Sequence, residues 1–249
     1  MKTIAIVQAR MGSTRLAGKS LQEIGGWSML ARVVRRLQRS RRLSGVVVAT
    51  TVGDVDQPIV EEAARLGVAV SRGSERDVLD RYHQAALAHP ADAVLRITSD
   101  CPLIDPDVID RVVTALDRER ADYASNVLPR TFPRGLDAEA ITSAALERVW
   151  QSATQAHQRE HVTLYVHDHT REFRTASVVH DEDLSHHRWT VDEPDDLLFV
   201  RAVYHAMGNR DDFAWTDVLD VLVREPALAA INAHVRQKTH VEGSRRRPG

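Results

Sequence analysis

The sequence predicts an α/β fold with a mainly parallel sheet, on three observations. Short apolar runs rich in β-branched residues alternate with amphipathic segments of helical length through the first half of the chain. Glycine, proline and aspartate stand between these segments, where turns and helix starts need them. The 249 residues are 43% hydrophobic and 27% charged, which suits a globular protein with a sizeable core. This alternation favours βαβ units, and we expect residues 1–240 to form a single domain.

The elements of the first half are predicted from residue types and from the glycines and prolines at their ends. Gly67 closes one helix, and Pro106 lies in the first turn of another, where its missing N–H costs nothing. The predicted strands are 4–7, 45–51, 68–70 and 92–98. The predicted helices are 29–37, 57–66, 75–88 and 105–116.

The regular alternation ends after Tyr123. Residues 126–135 contain two prolines and two arginines and predict a functional loop or arm. Beyond this segment we expect strands at 136–141 and 188–191, an extended segment at 172–179, and helices at 143–153, 159–169 and 194–207. Residues 213–235 are predicted to be helical and turn-like, and 241–249, rich in arginine, glycine and proline, to form a disordered tail.

Composition excludes several classes of function. A formal net charge of −2 gives no global field to attract nucleic acid or an anionic membrane, so any anion site must be local. Cys101 is the single cysteine, which rules out an intrachain disulfide and makes a thiolate zinc site a poor reading. No apolar run approaches membrane-spanning length, and the first strand leaves no room for a signal peptide. We therefore expect a cytoplasmic protein that binds neither nucleic acid nor membrane.

The segment from Gln8 to Ser20 predicts a phosphate-binding loop between the first strand and the next helix. Backbone amides of such a loop can surround phosphate oxygens while its three cations, Arg10, Arg15 and Lys19, neutralise their charge. The segment does not match the P-loop motif, because five residues rather than four separate Gly12 from the Gly-Lys-Ser sequence. A plain helix-capping turn is the alternative interpretation, and a triphosphate is the ligand that the loop favours.

Two aspartates at predicted strand ends favour a magnesium site beside this loop. Asp100 follows the strand at 92–98 and Asp192 follows the one at 188–191. Ligands of open parallel sheets bind at the carboxyl ends of strands, and Mg²⁺ takes a few protein oxygens together with water and phosphate. Helix capping is the alternative for both aspartates, above all for Asp192, which shortly precedes Pro194.

Ordered blocks of sequence resemble the cytidylyltransferases that make CMP-activated sugar acids. These are the CMP-Kdo and CMP-acylneuraminate synthetases, and the resemblance is strongest to the spore-coat polysaccharide branch. The blocks are Gln8-Ala9-Arg10-x-x-Ser13-x-Arg15-Leu16-x-Gly18-Lys19, Arg72-Gly73-Ser74-x-x-Asp77, Arg96-Ile97-Thr98-Ser99-Asp100, Gly135-Leu136-Asp137-x-Glu139, Arg159-Glu160-His161 and Arg188-Trp189-Thr190-Val191-Asp192. Ala17 stands where the family usually has proline, which costs loop rigidity but removes no ligand.

The resemblance implies a Rossmann-like three-layer sandwich of the nucleotide-diphospho-sugar transferase type and a magnesium-dependent enzyme. CMP would pass from CTP to an acceptor by in-line attack on the α-phosphorus, with release of pyrophosphate. Arg15, Lys19 and Asp100 would be catalytic, and Asp100 and Asp192 would hold Mg²⁺. The nucleotide would be bound by Gln8, Ala9, Arg10, Gly12, Ser13, Arg15, Lys19, Arg72, Gly73, Ser74 and Asp77.

The acceptor is expected to be a small anion, because cations cluster in the second half of the chain. Solvated surface charges are the alternative for each cation taken singly. The predicted acceptor residues are Arg134, Asp137, Glu139, Arg159, His161 and Arg188, with Arg130 and His187 nearby. A sugar acid fits, and so does a phosphonate, since phosphonoformate-type cytidylyltransferases are also similar. We interpret His157, His161, His167 and His169 as surface or acceptor residues rather than a metal site.

Two other functions stay open at the level of sequence. A glycosyltransferase would consume a preformed nucleotide sugar, and the lack of a clear Asp-x-Asp after an early strand disfavours it. A non-catalytic nucleotide-binding module would bind CTP without releasing pyrophosphate, and the retained Lys19, Asp100 and Asp192 disfavour that. The irregular segment at 126–135, together with the resemblance, predicts a homodimer.

Overall fold

The computed structural model describes residues 1–13 and 15–237. The predicted tail at 241–249 lies outside the described residues, as does the predicted domain boundary at 240.

The described residues build a central sheet of seven strands. Its strands are β1 (Thr3–Gln8), β4 (Gly45–Thr51), β5 (Ala69–Gly73), β6 (Ala93–Thr98), β7 (Tyr123–Ser125), β8 (Glu139–Thr142) and β9 (Thr175–Ser177), and a small hairpin is formed by β2 (Glu23–Ile24) and β3 (Trp27–Ser28). The strand order is β5-β4-β1-β6-β8-β7-β9. Strand β8 is antiparallel to both β6 and β7, and the remaining pairs of this sheet are parallel.

Helices cover both faces of this sheet and complete a three-layer sandwich. They are α1 (Met29–Leu37), α2 (Gln57–Arg65), α3 (Val78–Ala88), α4 (Pro106–Arg118), α5 (Ser143–Ser152), α6 (Ala156–Glu160), α7 (Leu164–Asp168), α8 (Pro194–Ala206), α9 (Trp215–Arg224) and α10 (Pro226–Ala230). Alternate strand residues feed two cores: Ala5 and Val7 pack toward α1 and α4, whereas Ile4 and Ile6 pack toward α3 and α5. The predicted α/β class and mainly parallel sheet are confirmed.

Local sequence signals predicted most elements of the first half close to their observed bounds. Helix α1 and strand β4 have the predicted bounds, and α1 begins where the Ser28 hydroxyl accepts from the Ala31 N–H at 3.0 Å. Helix α3 starts at Val78, later than the predicted residue 75, because the Asp77 side chain caps it. Strand β5 extends to Gly73, beyond the predicted residue 70, since it pairs with β4 over that length.

Two predictions in the second half were wrong. The helix expected at 159–169 is split into α6 and α7, because residues 161–163 turn inward to bury Val162 and to let the Thr163 hydroxyl donate to Glu139 at 2.6 Å. The strand expected at 188–191 joins no strand of the sheet. It is an extended segment tied to residue 134 by a single bridge, in which the Trp189 N–H donates to the Arg134 carbonyl at 2.7 Å.

The predicted arm at 126–135 is folded against the body of the protein. Asn126 and Phe132 are buried, and Phe132 packs edge-on against Trp215 with ring centroids 5.5 Å apart. Leu128 and Pro129 form its exposed tip. No helix among the described residues has the length and apolar character to cross a membrane.

Gly135 holds the arm against the extended segment that leads to Asp192. Its φ is +107°, and an added Cβ would lie 2.6 Å from the Trp189 carbonyl carbon, which is backbone and cannot move aside. We expect Gly135→Ala to lower the free energy of unfolding by about 2–4 kcal/mol, measured by urea unfolding. Gly45→Ala is the control, because no atom lies within 4 Å of its Cβ position and its φ is ordinary. Equal stability of the two variants would contradict this reading of Gly135.

Candidate active site

A cleft of about 300 Å³ opens at the carboxyl ends of β1 and β6. The loop after β1 forms one side, and the residues after β6 together with the segment before α8 form the other. It is lined by Gln8, Arg10, Ser13, Arg15, Lys19, Ser20, Thr98, Ser99, Asp100, His161 and Asp192. The cleft therefore lies at the edge of the parallel sheet where ligands of such folds bind.

The loop after β1 owes its shape to a few internal and cross-chain hydrogen bonds. The Met11 N–H donates to buried Asp56 at 2.6 Å, and the Ser20 and Ser99 hydroxyls lie 2.9 Å apart. Gly18 has a φ of +61° just before a short 3₁₀ turn, Lys19–Leu21, and supplies the left-handed conformation that this turn needs. The turn directs Lys19 across the cleft toward β6.

Lys19 lies between the two predicted metal aspartates. Its Nζ is 2.7 Å from Asp100 Oδ2, 3.0 Å from Asp192 Oδ1 and 3.0 Å from the Val191 carbonyl oxygen. Arg15 reaches the same Asp192 oxygen at 3.1 Å. Two carboxylates separated widely in sequence thus converge on one cation, Asp100 from the end of β6 and Asp192 from an extended segment that joins no strand of the described sheet.

Burial and pairing set the charges of this cluster. Burial alone would raise the pKa of Asp100, but the Lys19 ammonium and the Thr98 hydroxyl lower it to about 2. Burial would lower the pKa of Lys19, but the two aspartates raise it above the ordinary value. Lys19 and Asp100 are therefore both charged at neutral pH.

The carboxylates of Asp100 and Asp192 fit an open divalent-cation site. Their oxygens already meet at one cation, and Mg²⁺ commonly uses one or two carboxylates with phosphate and water completing its shell. Among the described residues no group of three or more histidine, cysteine, aspartate or glutamate side chains could hold a metal. The described histidines at 157, 161, 167 and 169 thus belong to no such group.

The predicted nucleotide residues fall into two groups. Gln8, Arg10, Ser13, Arg15 and Lys19 line the cleft; Ala9 is buried, and Gly12 has open space at its Cβ position. Residues 72–77 do not line the cleft, and their contacts are with neighbouring parts of the chain. Arg72 donates to the carbonyls of Thr51 and Gly53, and Gly73 packs on the aliphatic part of Arg81. The Ser74 hydroxyl accepts from the Asp77 N–H, and the Asp77 side chain caps α3.

Most predicted acceptor cations already have carboxylate partners. Arg159 binds Asp77 at 2.7 Å, Arg188 binds Asp196 at 2.8 Å, and Arg130 binds Asp137 through two hydrogen bonds. The guanidinium of Arg134 makes no hydrogen bond or ion pair with the described residues. Burial and the nearby Arg130 lower its pKa.

Glu139 is a buried hub beside the cleft. It accepts hydrogen bonds from Arg96, from the Tyr123 hydroxyl at 2.5 Å and from the Thr163 hydroxyl at 2.6 Å. Burial would raise its pKa, but Arg96 and His167 hold it well below its usual range. A cavity of about 100 Å³ adjoins this hub and is lined in part by Arg130, Asp137, His161 and His167.

Sequence reasoning assigned no role to several residues of the site, although most of them stand in its motif blocks or in the predicted loop. Ser20, Thr98 and Ser99 line the cleft, and Arg96 and Arg81 line side cavities. Thr98 and Ser99 stand directly before Asp100, so their place at a strand end was a usable signal. A larger groove of about 880 Å³ lies between α4 and β9 and contains no predicted site residue. Its lining includes four arginines and three carboxylates.

The sheet, the cationic loop and the paired carboxylates define an α/β enzyme class that acts on nucleotide phosphates. The family model described as cytidylyltransferase matches residues 4–203. The chain belongs to the cytidylyltransferase family and is a nucleotidyltransferase, so the predicted enzyme class and the stated resemblance are confirmed.

Several relatives are similar along most of the chain. An uncharacterized protein of Methanocaldococcus jannaschii is 37% identical over 97% of this chain and 99% of its own length. The spore coat polysaccharide biosynthesis protein SpsF of Bacillus subtilis is 30% identical, over 90% of this chain and 95% of its own. A 3-deoxy-manno-octulosonate cytidylyltransferase of Anaeromyxobacter dehalogenans is 37% identical over 45% of this chain and 46% of its own.

A solved structure agrees with the fold over nearly the whole chain. The cytidylyltransferase of Leptospira borgpetersenii superimposes with a TM-score of 0.88 at 32% identity, covering 96% of this chain and 100% of that chain.

Removing the Lys19 charge should make stability depend on divalent cations. Lys19→Met leaves Asp100 and Asp192 facing each other without their shared ammonium, and we expect a loss of about 1–3 kcal/mol in chelator, measured by urea unfolding. Millimolar Mg²⁺ or Mn²⁺ should then restore more stability to this variant than to the wild type, because the ion binds the vacated carboxylates. Lys2→Met, a matched change at an exposed lysine, should show neither effect. If divalent cations do not stabilise the Lys19→Met protein, the assignment of Asp100 and Asp192 to a shared cation site is contradicted.

Proposed function

We propose that the protein is a magnesium-dependent cytidylyltransferase that moves CMP from CTP to a small anionic acceptor and releases pyrophosphate. One observation carries this proposal: Lys19, Asp100 and Asp192 converge within 3.0 Å at the carboxyl ends of the sheet, with Arg15 beside them. The nucleotide would occupy the 300 Å³ cleft that these side chains line.

The loop side chains would orient the triphosphate. Arg10 at the inner end of the loop would hold the α-phosphate, and Ser13, Arg15 and Lys19 would hold the β- and γ-phosphates. Arg15 can turn from Asp192 to a phosphate at little cost, because its side chain is 37% exposed. Asp100 and Asp192 would hold Mg²⁺, which neutralises phosphate charge when it is bound.

Transfer would follow an in-line displacement. An acceptor oxygen attacks the α-phosphorus, a new P–O bond forms, the bond to the bridging oxygen of the β-phosphate breaks, and pyrophosphate leaves. Arg15 and Lys19 would stabilise the charge that develops on the leaving group, since both lie at the loop end of the cleft. Positioning and charge neutralisation supply most of the rate in such reactions.

The acceptor would be a sugar acid or a phosphonate bound next to the Glu139 hub. The adjoining cavity of about 100 Å³ shares His161 with the cleft. Arg134, whose guanidinium has no partner among the described residues, is the best candidate to meet the acceptor anion, since Arg130, Arg159 and Arg188 are already paired. The names of the Bacillus and Anaeromyxobacter relatives, which refer to a polysaccharide and a sugar acid, support a carbohydrate acceptor.

The proposal is tested by measuring pyrophosphate release from CTP and Mg²⁺ with a panel of sugar acids and phosphonates. Release is expected with CTP, metal and one acceptor class together, and Asp100→Asn should lower turnover by about a hundredfold or more. Asp212→Asn is the matched control, since that aspartate is half exposed and Arg210, with which it pairs, lies outside the cleft. Near wild-type turnover of Asp100→Asn would contradict the metal assignment. If CTP yields no pyrophosphate and the protein instead transfers the sugar of a nucleotide sugar to an acceptor, releasing a nucleoside phosphate, it is a glycosyltransferase.

We also propose that the enzyme is a cytoplasmic homodimer, with the segment at 126–135 contributing to the contact. Its exposed tip, Leu128 and Pro129, presents apolar surface that a second copy could cover. Sedimentation at micromolar concentration should give twice the 27.8 kDa chain mass, and Leu128→Asp should shift the protein toward monomer. A wild-type protein that sediments as a monomer would refute the dimer.

A further inference from the structure

The chain after α10 returns to the segment that leads into Asp192. Asn232 is buried there, and its Nδ2 donates to the Arg188 carbonyl at 3.0 Å and to Asp196 Oδ1 at 2.9 Å. One amide group thus joins the backbone of residue 188 to a side chain at the start of α8. The family model ends at residue 203, so Asn232 lies beyond the part of the chain that this match covers.

Asp196 is fully buried and accepts hydrogen bonds from five donors. Two donors belong to Arg188, Nε at 2.9 Å and Nη2 at 2.8 Å. The backbone N–H groups of Asp192 and Glu193 each donate to Oδ2 at 3.0 Å, and Asn232 supplies the fifth donor. Turning this carboxylate would leave buried donors unpaired, which is costly, so Asp196 fixes the backbone at residue 192.

The Arg188 guanidinium also orients the Asp192 carboxylate itself. Arg188 Nη2 lies 3.3 Å from Asp192 Oδ2. On the other oxygen, Oδ1, Lys19 Nζ lies at 3.0 Å and Arg15 Nη2 at 3.1 Å. Oδ2 is therefore held by a side chain that is only 9% exposed, and Oδ1 faces the cations of the cleft.

We propose, building on the metal-dependent function described above, that Asn232 is a positioning residue that keeps Asp192 Oδ1 directed into the cleft. It acts through Arg188 and Asp196, since its amide holds both of them in place. Partners of this kind orient the ligands of a metal ion, and their loss typically lowers metal affinity by about ten- to a hundredfold. Arg188, predicted from the sequence to bind the acceptor, serves the same network. Anchoring of the chain after α10 is the alternative role for Asn232.

The test is the Mg²⁺ concentration that gives half-maximal CTP binding, hereafter the Mg²⁺ midpoint, measured by calorimetry without acceptor. Wild-type protein should bind CTP more tightly as Mg²⁺ is added, because the ion joins the carboxylates to the phosphates. Asn232→Ala should raise the Mg²⁺ midpoint about tenfold, since Asp192 Oδ1 no longer has one fixed direction. CTP affinity in chelator should stay unchanged, because neither Arg188 nor Asp196 lines the cleft.

Asn126→Ala is the matched control for a loss of buried hydrogen bonds. Asn126 is likewise buried, and its side chain donates to the Leu136 carbonyl at 2.7 Å and accepts from the Ala138 N–H at 2.9 Å. Both variants should lower the melting temperature, because each leaves buried groups unpaired. Only Asn232→Ala should raise the Mg²⁺ midpoint, whereas a purely structural asparagine at 232 would make the two variants alike.

Arg188→Lys tests the same network without Asn232 being changed, and it decides the matter if Asn232→Ala fails to fold. An ammonium keeps the charge but cannot reproduce the planar fork that reaches Asp196 twice and Asp192 once. The Mg²⁺ midpoint should again rise about tenfold, while the KM for the acceptor at saturating Mg²⁺ stays close to wild type. An arginine that binds the acceptor would instead raise that KM and leave the Mg²⁺ midpoint unchanged.

The outcomes separate this inference from the proposed function. A folded Asn232→Ala protein with the wild-type Mg²⁺ midpoint, or an Asn126→Ala protein whose midpoint rises equally, would overturn the positioning role while leaving CMP transfer intact. Absence of pyrophosphate release with every acceptor would refute the transfer proposal, yet the Mg²⁺ midpoints would still test the role of Asn232. Wild-type CTP binding that does not depend on Mg²⁺ would refute the cation site and, with it, the role of Asn232.

Discussion

One ammonium group joins three distant parts of the chain at the cleft. Lys19 belongs to the loop after β1, Asp100 lies 81 residues further on after β6, and Asp192 lies 173 residues further on before α8. Other contacts of the described part of this loop are those of Met11 with Asp56, Ser20 with Ser99, and Arg15 with Asp192. The Lys19 interaction therefore holds the loop on one side of the cleft to the two carboxylates on the other side.

Buried hydrogen bonds fix the elements that surround the loop. Arg36 is fully buried and donates to the carbonyls of Ile104, Asp211 and Phe213, so the segment between α8 and α9 is fixed against α1. On the other side, Glu139 draws Tyr123 and Thr163 together and holds the break between α6 and α7 at the cleft. Because the loop is held by ion pairs, a ligand can exchange with those partners while the buried hydrogen bonds of the surrounding elements stay intact.

Periodicity and capping predicted the elements, because these signals are local in the chain. The approach of Lys19 to Asp100 was also predictable, since parallel strands bring their carboxyl ends to one edge of a sheet. Asp192 joins them from an extended segment outside the sheet, so the strand-end argument gave its place for a wrong reason. The partners of Asp77 and Arg159 were not. They form a pair 82 residues apart in sequence, and residue type cannot show that each satisfies the other. The segment at 188–191 has a strand-like composition, but its partner is a loop, which composition does not reveal.

Two kinds of positive charge line the site, and they suit different tasks. Lys19 and Arg15 rest on carboxylates at partly exposed positions, so phosphate oxygens or a metal ion can replace those partners without leaving a charge stranded. Arg81 is buried, held by Gly73 and Ser74, and lacks a carboxylate partner at hydrogen-bond distance among the described residues. Exchangeable pairs bind charge and tolerate variation in the ligand, whereas a fixed and unsatisfied donor group rewards one hydrogen-bonding pattern. The two kinds of charge therefore differ in what a ligand can displace, because the ion pairs of Lys19 and Arg15 can exchange partners whereas the guanidinium of Arg81 is held by the fold.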